Sequence, residues 1–199
     1  MGNGILVTGA GGGIGLEVVR ALLKEPEVTV WALARDGVRR LAAEREAHPG
    51  RVRVLDIDLA EPGAADAVSR AIGAQRLLAV VHNAAVLGKT PIGEYGQGAL
   101  LGLFAVNVAA PLLLTQALAG NLGGDPPGHA VFIGSMGGFQ DSAKFPGLAA
   151  YSASKAALNA FTESLALEAA LFGIRAKLVL PGSAPTTGFG KNAVSRMGM

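Results

Sequence analysis

The stretch TGAGGGIG, residues 8–15, constrains the fold of this chain more than any other feature. It follows a short apolar, β-branched run, GILVT at 4–8, and it precedes IGLEVVRALLK at 14–24, whose apolar residues have helical spacing. In a strand, glycine-rich turn and helix of this kind, the backbone can approach a pyrophosphate closely, and N–H groups at the helix start face it. The sequence therefore predicts a dinucleotide site formed by Gly9, Gly12, Gly13, Ile14 and Gly15.

The glycines of this turn fit two different patterns. Gly9, Gly13 and Gly15 fit T-G-x-x-x-G-x-G, whereas Gly9, Gly12 and Gly15 fit T-G-x-x-G-x-x-G. Glycines also form tight turns where no ligand binds. The turn alone therefore leaves both the pattern and the ligand open.

The rest of the chain alternates between apolar runs and segments of helical spacing. Val, Leu and Ile dominate the runs, which is typical of strands covered on both faces. Right-handed crossovers then give a doubly wound, Rossmann-type α/β fold, a parallel sheet of about six strands with helices on both faces. We expect strands at 4–8, 28–34, 51–58, 77–82, 129–135 and 174–180, and helices at 14–24, 38–47, 62–72, 97–121 and 150–172.

Composition limits the classes of function. The net charge is +2, and Lys and Arg form neither a run nor a stripe, so no nucleic-acid partner is expected. The chain has no cysteine and only three scattered histidines, so no metal site is expected either. The start of the chain lacks a signal-peptide pattern, and we expect a cytoplasmic protein.

One uncharged segment, residues 95–124, resembles a membrane span in composition. Polar residues and a proline interrupt it, and no positively charged flank sets an orientation. We therefore expect no membrane partner, and we interpret 97–121 as a helix buried on most sides, in part at a subunit interface.

A tyrosine and a lysine, Tyr151 and Lys155, lie four residues apart in AAYSASKAALNAF, residues 149–161. On a helix this spacing puts both side chains on one face. An ammonium ~5 Å from a phenol, at an effective dielectric of ~20, favours the phenolate by about 3 kcal/mol. We therefore expect the pKa of Tyr151 to fall from ~10 towards ~8, so that its hydroxyl can act as a general acid or base.

The end of the second predicted strand indicates which cofactor the chain prefers. An acidic residue there binds the ribose 2′-hydroxyl of NAD, whereas an arginine suits the 2′-phosphate of NADP. The segment ALARD, residues 32–36, places Arg35 at this point and Asp36 one residue further on. Because a guanidinium can bind a phosphate through two hydrogen bonds, we expect NADP, with NAD as the alternative.

Together, these motifs resemble the short-chain dehydrogenases/reductases, in their smaller, single-domain, carbonyl-reductase-like branch. The resemblance runs from about residue 4 to 190. LDIDL at 55–59 resembles the family's adenine-contact motif, and HNAA at 82–85 resembles its N-N-A-G motif. The turn PGSAPTT at 181–187 resembles P-G-x-x-x-T. These similarities imply cofactor contacts from Asp58, Leu59, Asn83, Ala84, Pro181, Gly182 and Thr186, besides Tyr151 and Lys155.

Three further motifs resemble the family's catalytic elements: VNVAAP at 106–111, IGSMGG at 133–138 and YSASKAALNAFTESLALE at 151–168. The resemblance implies hydride transfer between a nicotinamide and a carbonyl or alcohol. It implies that Tyr151 transfers the proton and that Ser135 forms a hydrogen bond to the substrate oxygen. It also implies that Lys155 adjusts the pKa of Tyr151 and binds the cofactor ribose. Asn107 would anchor a water that links Lys155 to solvent.

The chain departs from the family at two places. Ser135 and Tyr151 are 16 positions apart, more than is usual, and the extra residues in FQDSAKFPG at 139–147 make Ser142 a second candidate for the serine role. Residues 183–199 form a short tail in place of the usual substrate-covering helix and seventh strand, although 1–199 still fits one domain with its active site. The tail motivates an alternative function, an NADP-binding regulatory or signalling protein with little turnover.

The expected partners are a small, rather apolar carbonyl or alcohol substrate and further copies of the chain. The helices 97–121 and 150–172 are expected to pair across subunits in a homodimer or homotetramer. The resemblance also implies that relatives with T-G-x-x-G-x-x-G, such as sugar epimerases and dehydratases, usually carry an added substrate domain. A length of 199 residues leaves no room for one, so it disfavours those functions and favours T-G-x-x-x-G-x-G. The candidate substrate-pocket residues are Val86, Met136, Phe139, Phe145 and Leu148.

Overall fold

A computed structural model describes residues 3–182 of the chain. Within this range, six parallel strands form one sheet in the order β3-β2-β1-β4-β5-β6. The predicted fold class, a doubly wound parallel sheet of six strands, is confirmed. The strands are β1 (Asn3–Thr8), β2 (Val28–Leu33), β3 (Val52–Leu55), β4 (Leu77–His82), β5 (Gly128–Ile133) and β6 (Ile174–Val179).

The helices follow the strands in alternation, but two of the predicted helices are interrupted. The predicted helix at 38–47 is divided at Leu41, and the predicted helix at 97–121 contains a π-helical segment, Ala105–Ala109. Short 3-10 turns lie at Met136–Gly138 and Ala170–Phe172. The helices are α1 (Gly13–Leu22), α2 (Gly37–Arg40), α3 (Ala42–Ala47), α4 (Ala64–Ile72), α5 (Gln97–Phe104), α6 (Ala110–Ala117), α7 (Ala119–Leu122) and α8 (Ala149–Ala169).

Two apolar clusters bury the two faces of the sheet. Because successive strand residues point to opposite faces, Leu6 of β1 belongs to one cluster and its neighbours Ile5 and Val7 belong to the other. The first cluster includes buried residues of α4, α6, α7 and α8, such as Leu158. The second includes Val19 of α1. The strands are therefore covered on both faces, as their composition predicts.

The strand order creates a crevice between β1 and β4. The chain runs outward from β1 to β2 and β3 on one side of the sheet and then returns to place β4 on the other side of β1. In open parallel sheets, ligands bind outside the carboxyl ends of the strands at such a reversal. The glycine-rich turn follows β1 and the segment beginning at Asn83 follows β4, so both lie at this crevice.

The segment Gln97–Ala117 is long and apolar enough to cross a membrane by length and composition, with a mean hydropathy of 1.9. Only 39% of its most apolar window is buried, so the prediction of a helix buried on most sides is wrong for the single chain. Leu101 is 60% exposed and Leu113 is 50% exposed, whereas Asn107 and Thr115 on the other side are buried. The segment therefore presents one face to the core and an apolar face outward.

Candidate active site

The conformation of the glycine-rich turn distinguishes between the two glycine patterns. Gly9 and Gly13 have φ values of +65° and +56°, which favour glycine. A Cβ atom added to Gly15 would lie 2.3 Å from the carbonyl oxygen of Gly9. Gly12 has extended backbone, and a Cβ there would meet no atom within 4 Å. The positions that require glycine are therefore Gly9, Gly13 and Gly15, as in T-G-x-x-x-G-x-G.

A hydrogen-bond network ties this turn to the end of β4. The Thr8 hydroxyl oxygen accepts from the backbone N–H groups of Asn83 and Ala84, both at 3.0 Å. The Asn83 side-chain amide donates to the carbonyls of Thr8 at 3.1 Å and Gly9 at 3.3 Å. Thr8 is a site residue that the sequence analysis did not name, although it begins the TGAGGGIG motif. The network fixes the floor of the crevice before any cofactor binds.

Glycine at positions 9 and 15 lets the turn pack directly against the end of β4. At Gly9 a Cβ would lie 2.9 Å from the Cα of Ala84, and at Gly15 it would lie 2.5 Å from the side-chain nitrogen Nδ2 of Asn83. Side chains at these positions would fill the space between the two strand ends. Ile14, in the first turn of α1, is only partly buried. The residues present therefore leave backbone N–H groups accessible to a pyrophosphate.

The loop after β2 carries several charged groups. Arg35 is exposed, and its Nη1 lies 3.4 Å from Oδ2 of Asp58. Asp36 is in the left-handed conformation at φ 54°, and its carboxylate accepts hydrogen bonds from Arg39. These bonds lower the pKa of Asp36. Both bonds end on Oδ2, so Arg39 neutralises much of the Asp36 charge and weakens this carboxylate as a ligand for a ribose hydroxyl.

The other predicted contacts at the adenine end lie close to this loop. Asp58 Oδ1 accepts from the backbone N–H of Ala60 at 3.0 Å, so its position is fixed from both sides. Leu59 follows and packs partly buried against the core. Pro181 and Gly182 are distant from this loop, because they follow β6, the strand at the opposite edge of the sheet, and Thr186 lies outside the described residues.

Ser135 and Tyr151 contact each other despite their long separation in sequence. Ser135 follows β5, and its hydroxyl oxygen accepts from the Gly137 N–H at 3.1 Å. Tyr151 lies in the first turn of α8, and a side-chain hydrogen bond joins it to Ser135. The alternative, Ser142, donates to the carbonyl of Phe139 at 2.8 Å. The structure therefore brings Ser135, rather than Ser142, to the phenol.

The expected fall in the pKa of Tyr151 is not found. Burial raises the pKa of Tyr151, and the hydrogen bond with Ser135 lowers it only in part. The prediction considered the charge of Lys155 but not the burial of the phenol, which is only 9% exposed. Removal from water disfavours the charged form of any acid, and here this effect is larger. The phenol is therefore neutral at neutral pH.

Lys155 lies one turn further along α8 and is almost fully buried. Its Nζ donates to the carbonyl of Ile133 at 2.8 Å and lies 6.0 Å from the centre of the Tyr151 ring. Burial lowers the pKa of Lys155 to about 8. The group therefore carries a positive charge at neutral pH, close to the phenol and to the end of β5.

Asn107 lies in the π-helical segment and is completely buried. Its Oδ1 accepts from the Val86 N–H at 2.8 Å, and its Nδ2 donates to the Val86 carbonyl at 2.9 Å and to Ser154 Oγ at 3.0 Å. Residue 111 is proline, so it has no N–H for an α-helical bond to the Asn107 carbonyl. The side chain thus joins the segment after β4 to the start of α8.

A cavity of about 520 Å³ opens beside the start of α8. Its wall includes the predicted pocket residue Val86 and also Lys89, Glu94 and Tyr95, which the sequence analysis did not name. The other predicted pocket residues are not part of this wall. Met136 is 50% exposed, Phe139 is 38% exposed and Phe145 is 65% exposed, while Leu148 is partly buried.

The histidine at the end of β4 has a structural role. His82 Nε2 lies 2.8 Å from Thr115 Oγ1, and its ring stacks on Phe132. Burial lowers the pKa of His82 to about 3, so the ring is neutral. Within residues 3–182, no group of His, Asp and Glu could hold a metal ion.

The sequence was compared with known protein families. A family model described as short chain dehydrogenase matches residues 3–196. This chain belongs to the short-chain dehydrogenase family. The predicted resemblance, including its carbonyl-reductase-like character, is confirmed.

Individual relatives cover most of this chain. A vibriobactin-specific 2,3-dihydro-2,3-dihydroxybenzoate dehydrogenase from Vibrio cholerae is 30% identical over 92% of this chain and 70% of its own length. Carbonyl reductase [NADPH] 2 from Sus scrofa is 31% identical over 96% of this chain and 75% of its own length. A metagenomic short-chain oxidoreductase solved in complex with NADP is 33% identical, with a TM-score of 0.79, over 92% of this chain and 83% of that one.

Family membership confirms the predicted class of activity. The chain is an NAD(P)-dependent oxidoreductase of the short-chain dehydrogenase type, which transfers hydride. The predicted roles of individual residues stay predictions at this point.

Proposed function

We propose that this chain interconverts a small carbonyl compound and the corresponding alcohol with NADP, at an active site formed by Ser135, Tyr151 and Lys155. The observation that carries the proposal is the contact between Ser135 and Tyr151, with the Lys155 ammonium close to the same ring. These groups follow β5 and begin α8, at the sheet edge that also carries the glycine-rich turn. A proton donor, a second hydroxyl and a cation are thus combined beside a dinucleotide crevice.

The preference for NADP is supported by the residues after β2. Arg35 is exposed at the end of the strand, and the neighbouring Asp36 carboxylate is occupied by Arg39. An arginine at this point suits a 2′-phosphate. The metagenomic relative was solved with NADP, and the pig relative is named for NADPH. NAD remains the alternative cofactor.

The cofactor, when bound, supplies or accepts the hydride. The raised pKa of Tyr151 keeps its hydroxyl protonated at neutral pH, so this group can give a proton to the substrate oxygen during carbonyl reduction. Ser135 hydrogen-bonds the same oxygen and stabilises the charge that develops there. Lys155, with a pKa of about 8, is cationic and stabilises the phenolate once the proton has left.

Asn107 and Asn83 form side-chain hydrogen bonds that fix the positions of the segments around these groups. Asn107 fixes the segment after β4 to Ser154, whose hydroxyl in turn donates to the Tyr151 carbonyl at 2.8 Å. The missing N–H at position 111 supports a role of the Asn107 carbonyl in binding a water that serves Lys155. We therefore keep the water-anchoring role of Asn107 as part of the proposal.

We propose that the cavity of about 520 Å³ beside the start of α8 forms part of the substrate site, because Ala150, the residue before Tyr151, lies in its wall. Val86 and Leu103 give its wall apolar character, and Lys89 and Glu94 add charge. We propose that residues 1–199 belong to one domain that contains the active site. The enzyme is proposed to act in the cytoplasm.

The exposed leucines of α5 and α6 support assembly into a homodimer or homotetramer. Leu101 and Leu113 are the most exposed of these leucines. Large apolar side chains on one face of a helix are stabilised by burial against another copy. Light scattering on the purified protein should give a dimer or tetramer, and a monomer at micromolar concentration would contradict this part of the proposal.

The experiment that tests the function is NADPH oxidation over a panel of aldehydes, ketones and quinones, with NADH in parallel. The proposal predicts turnover with at least one carbonyl and a lower KM for NADPH than for NADH. Tight binding of NADPH without turnover on any member of the panel would instead favour the alternative, a cofactor-binding regulatory protein.

A further inference from the structure

Among the described residues around the end of β2, most charges are in ion pairs, and Arg40 and Asp56 are the exceptions. The segment after β2 carries Arg35, Arg39 and Arg40. Arg35 approaches Asp58, and Arg39 is bonded to Asp36. In the part of the chain that the structure describes, Arg40 has no ion pair and no side-chain hydrogen bond. One of the three guanidinium groups is therefore left without a carboxylate.

Each of the three carboxylates of this region, those of Asp36, Asp58 and Asp56, accepts at least one hydrogen bond within the protein. The third of them, Asp56, accepts a hydrogen bond from the backbone N–H of Asp36 at 3.0 Å. The hydrogen bonds with Arg39 lower the pKa of Asp36 most, and the nearby positive charge of Arg40 lowers it further without a direct bond. The Arg40 charge thus lies near the end of β2 and remains available to an anion from solution.

The stem of Arg40 lies against the glycine-rich turn. A Cβ atom added to Gly11 would lie 2.7 Å from Arg40 Cδ and 3.3 Å from Arg40 Cβ. Such a Cβ would also lie 3.1 Å from the Cβ of Ala34, the last residue before Arg35. The absence of a side chain at Gly11 therefore makes the space in which Arg40 passes between the turn and the end of β2.

We propose that Arg40 determines the preference for NADP by binding the 2′-phosphate, together with Arg35. A phosphate dianion is the kind of ligand that an unpaired guanidinium binds through charge-assisted hydrogen bonds. The position fits this ligand, because the adenine ribose of a dinucleotide lies at the end of the second strand. Arg40 would thus be a specificity-determining residue on α2, and Gly11 would keep its place open. This inference rests on the proposed NADP dependence.

The test is the dissociation constant of the intact protein for NADPH and for NADH, measured by cofactor fluorescence in wild type and Arg40→Met. Methionine keeps much of the apolar stem against Gly11 and removes the charge. Arg45→Met is the matched control, because it removes one arginine that is also exposed, from the neighbouring helix α3. The loss of one charge-assisted contact should weaken NADPH binding about tenfold in Arg40→Met and leave NADH binding within about twofold. Arg45→Met should bind both as wild type does.

Two results would overturn the inference. An Arg40→Met variant that binds NADPH as tightly as wild type would show that the guanidinium makes no contact with the phosphate. An equal loss for NADPH and NADH would show that Arg40 supports the turn or the pyrophosphate instead. If wild type binds neither cofactor, the proposed function itself is wrong, and this outcome is recognised before any variant is compared.

A second variant tests the same idea without changing a charge. Gly11→Ala should displace the Arg40 stem. It should therefore weaken the binding of adenosine 2′,5′-bisphosphate more than the binding of adenosine 5′-monophosphate. Circular dichroism confirms that each variant is folded. If Gly11→Ala binds each of the two nucleotides as tightly as wild type does, the role given to the space beside Gly11 is contradicted.

Discussion

Replacing Asn107 with alanine should destabilise the fold more than its single amide would suggest. The amide makes three hydrogen bonds, two of them with the backbone N–H and carbonyl of Val86, and it is completely buried. Its removal leaves both backbone groups of Val86, a partly exposed residue, and the buried Ser154 hydroxyl without this partner. A fully buried group that loses its partner costs about 1–3 kcal/mol, and one that water can reach costs less. Because the cavity beside Val86 lets water reach part of this segment, we expect a loss of about 3 kcal/mol in the free energy of unfolding.

The assay is urea denaturation of the cofactor-free protein, analysed by linear extrapolation with an unchanged m value. Asn121→Ala is the matched control, since Asn121 also donates two hydrogen bonds, to the carbonyls of Gly73 and Gln75 at 2.7 and 2.8 Å. Asn121 is partly exposed, so water can replace the lost bonds and the expected loss is about 1 kcal/mol. Equal losses for the two variants would refute the importance given to the buried network.

Three further predictions concern the turn, the serine and the lysine. Gly15→Ala should lower the free energy of unfolding by at least about 2 kcal/mol, because its Cβ would lie 2.3 Å from a carbonyl oxygen, while Gly12→Ala should lose about 1 kcal/mol or less; urea denaturation of both checks this. Ser135→Ala should reduce kcat about 100-fold and Ser142→Ala should leave it unchanged, and steady-state kinetics that show the reverse would reassign the serine. Burial lowers the pKa of Lys155 from 10.5 to about 8, so the unfolded chain binds more protons than the folded chain at pH values between these two. The free energy of unfolding of wild type should therefore rise by up to about 3 kcal/mol relative to that of Lys155→Met as pH rises from ~7 to ~10. A pH-independent difference between the two proteins in urea would contradict the buried charge.

The sheet could be predicted closely from the sequence because its strands are short apolar runs bounded by turn residues. Strand β4 has the predicted limits, Leu77–His82, and most other strands differ from the prediction by one or two residues. The exception is β3, which ends at Leu55 rather than at 58. There, Asp56 accepts from the backbone of Asp36 in the neighbouring loop, a long-range contact that periodicity does not reveal.

The interruptions of the helices could not be predicted from periodicity alone. The break lies at Leu41, whose side chain is fully enclosed in the second apolar cluster and whose backbone leaves the helical conformation at φ −108° and ψ 16°. The π-helical segment depends on the buried bonds of Asn107 with Val86 and on the proline at position 111. A helical pattern shows which face is apolar, but it does not show how a polar side chain on that face is satisfied.

The candidate site was predicted mainly from motifs, and its electrostatics were not. The spacing of Tyr151 and Lys155 predicted a shared face, but the sign of the Tyr151 pKa shift depends on burial, which sequence does not give. The role of Arg40 depends on which carboxylates are already paired. Both are properties of three-dimensional packing rather than of residue order.

The most direct test of the central claim is the kinetic comparison of wild type with Tyr151→Phe, using a carbonyl substrate found in the panel. The change removes only the hydroxyl group, so NADPH should bind within about twofold of wild type while kcat falls at least about 100-fold, the effect expected when a general acid is lost. A Tyr151→Phe variant that keeps wild-type kcat would show that the proton comes from another group, and the proposed active site would be wrong.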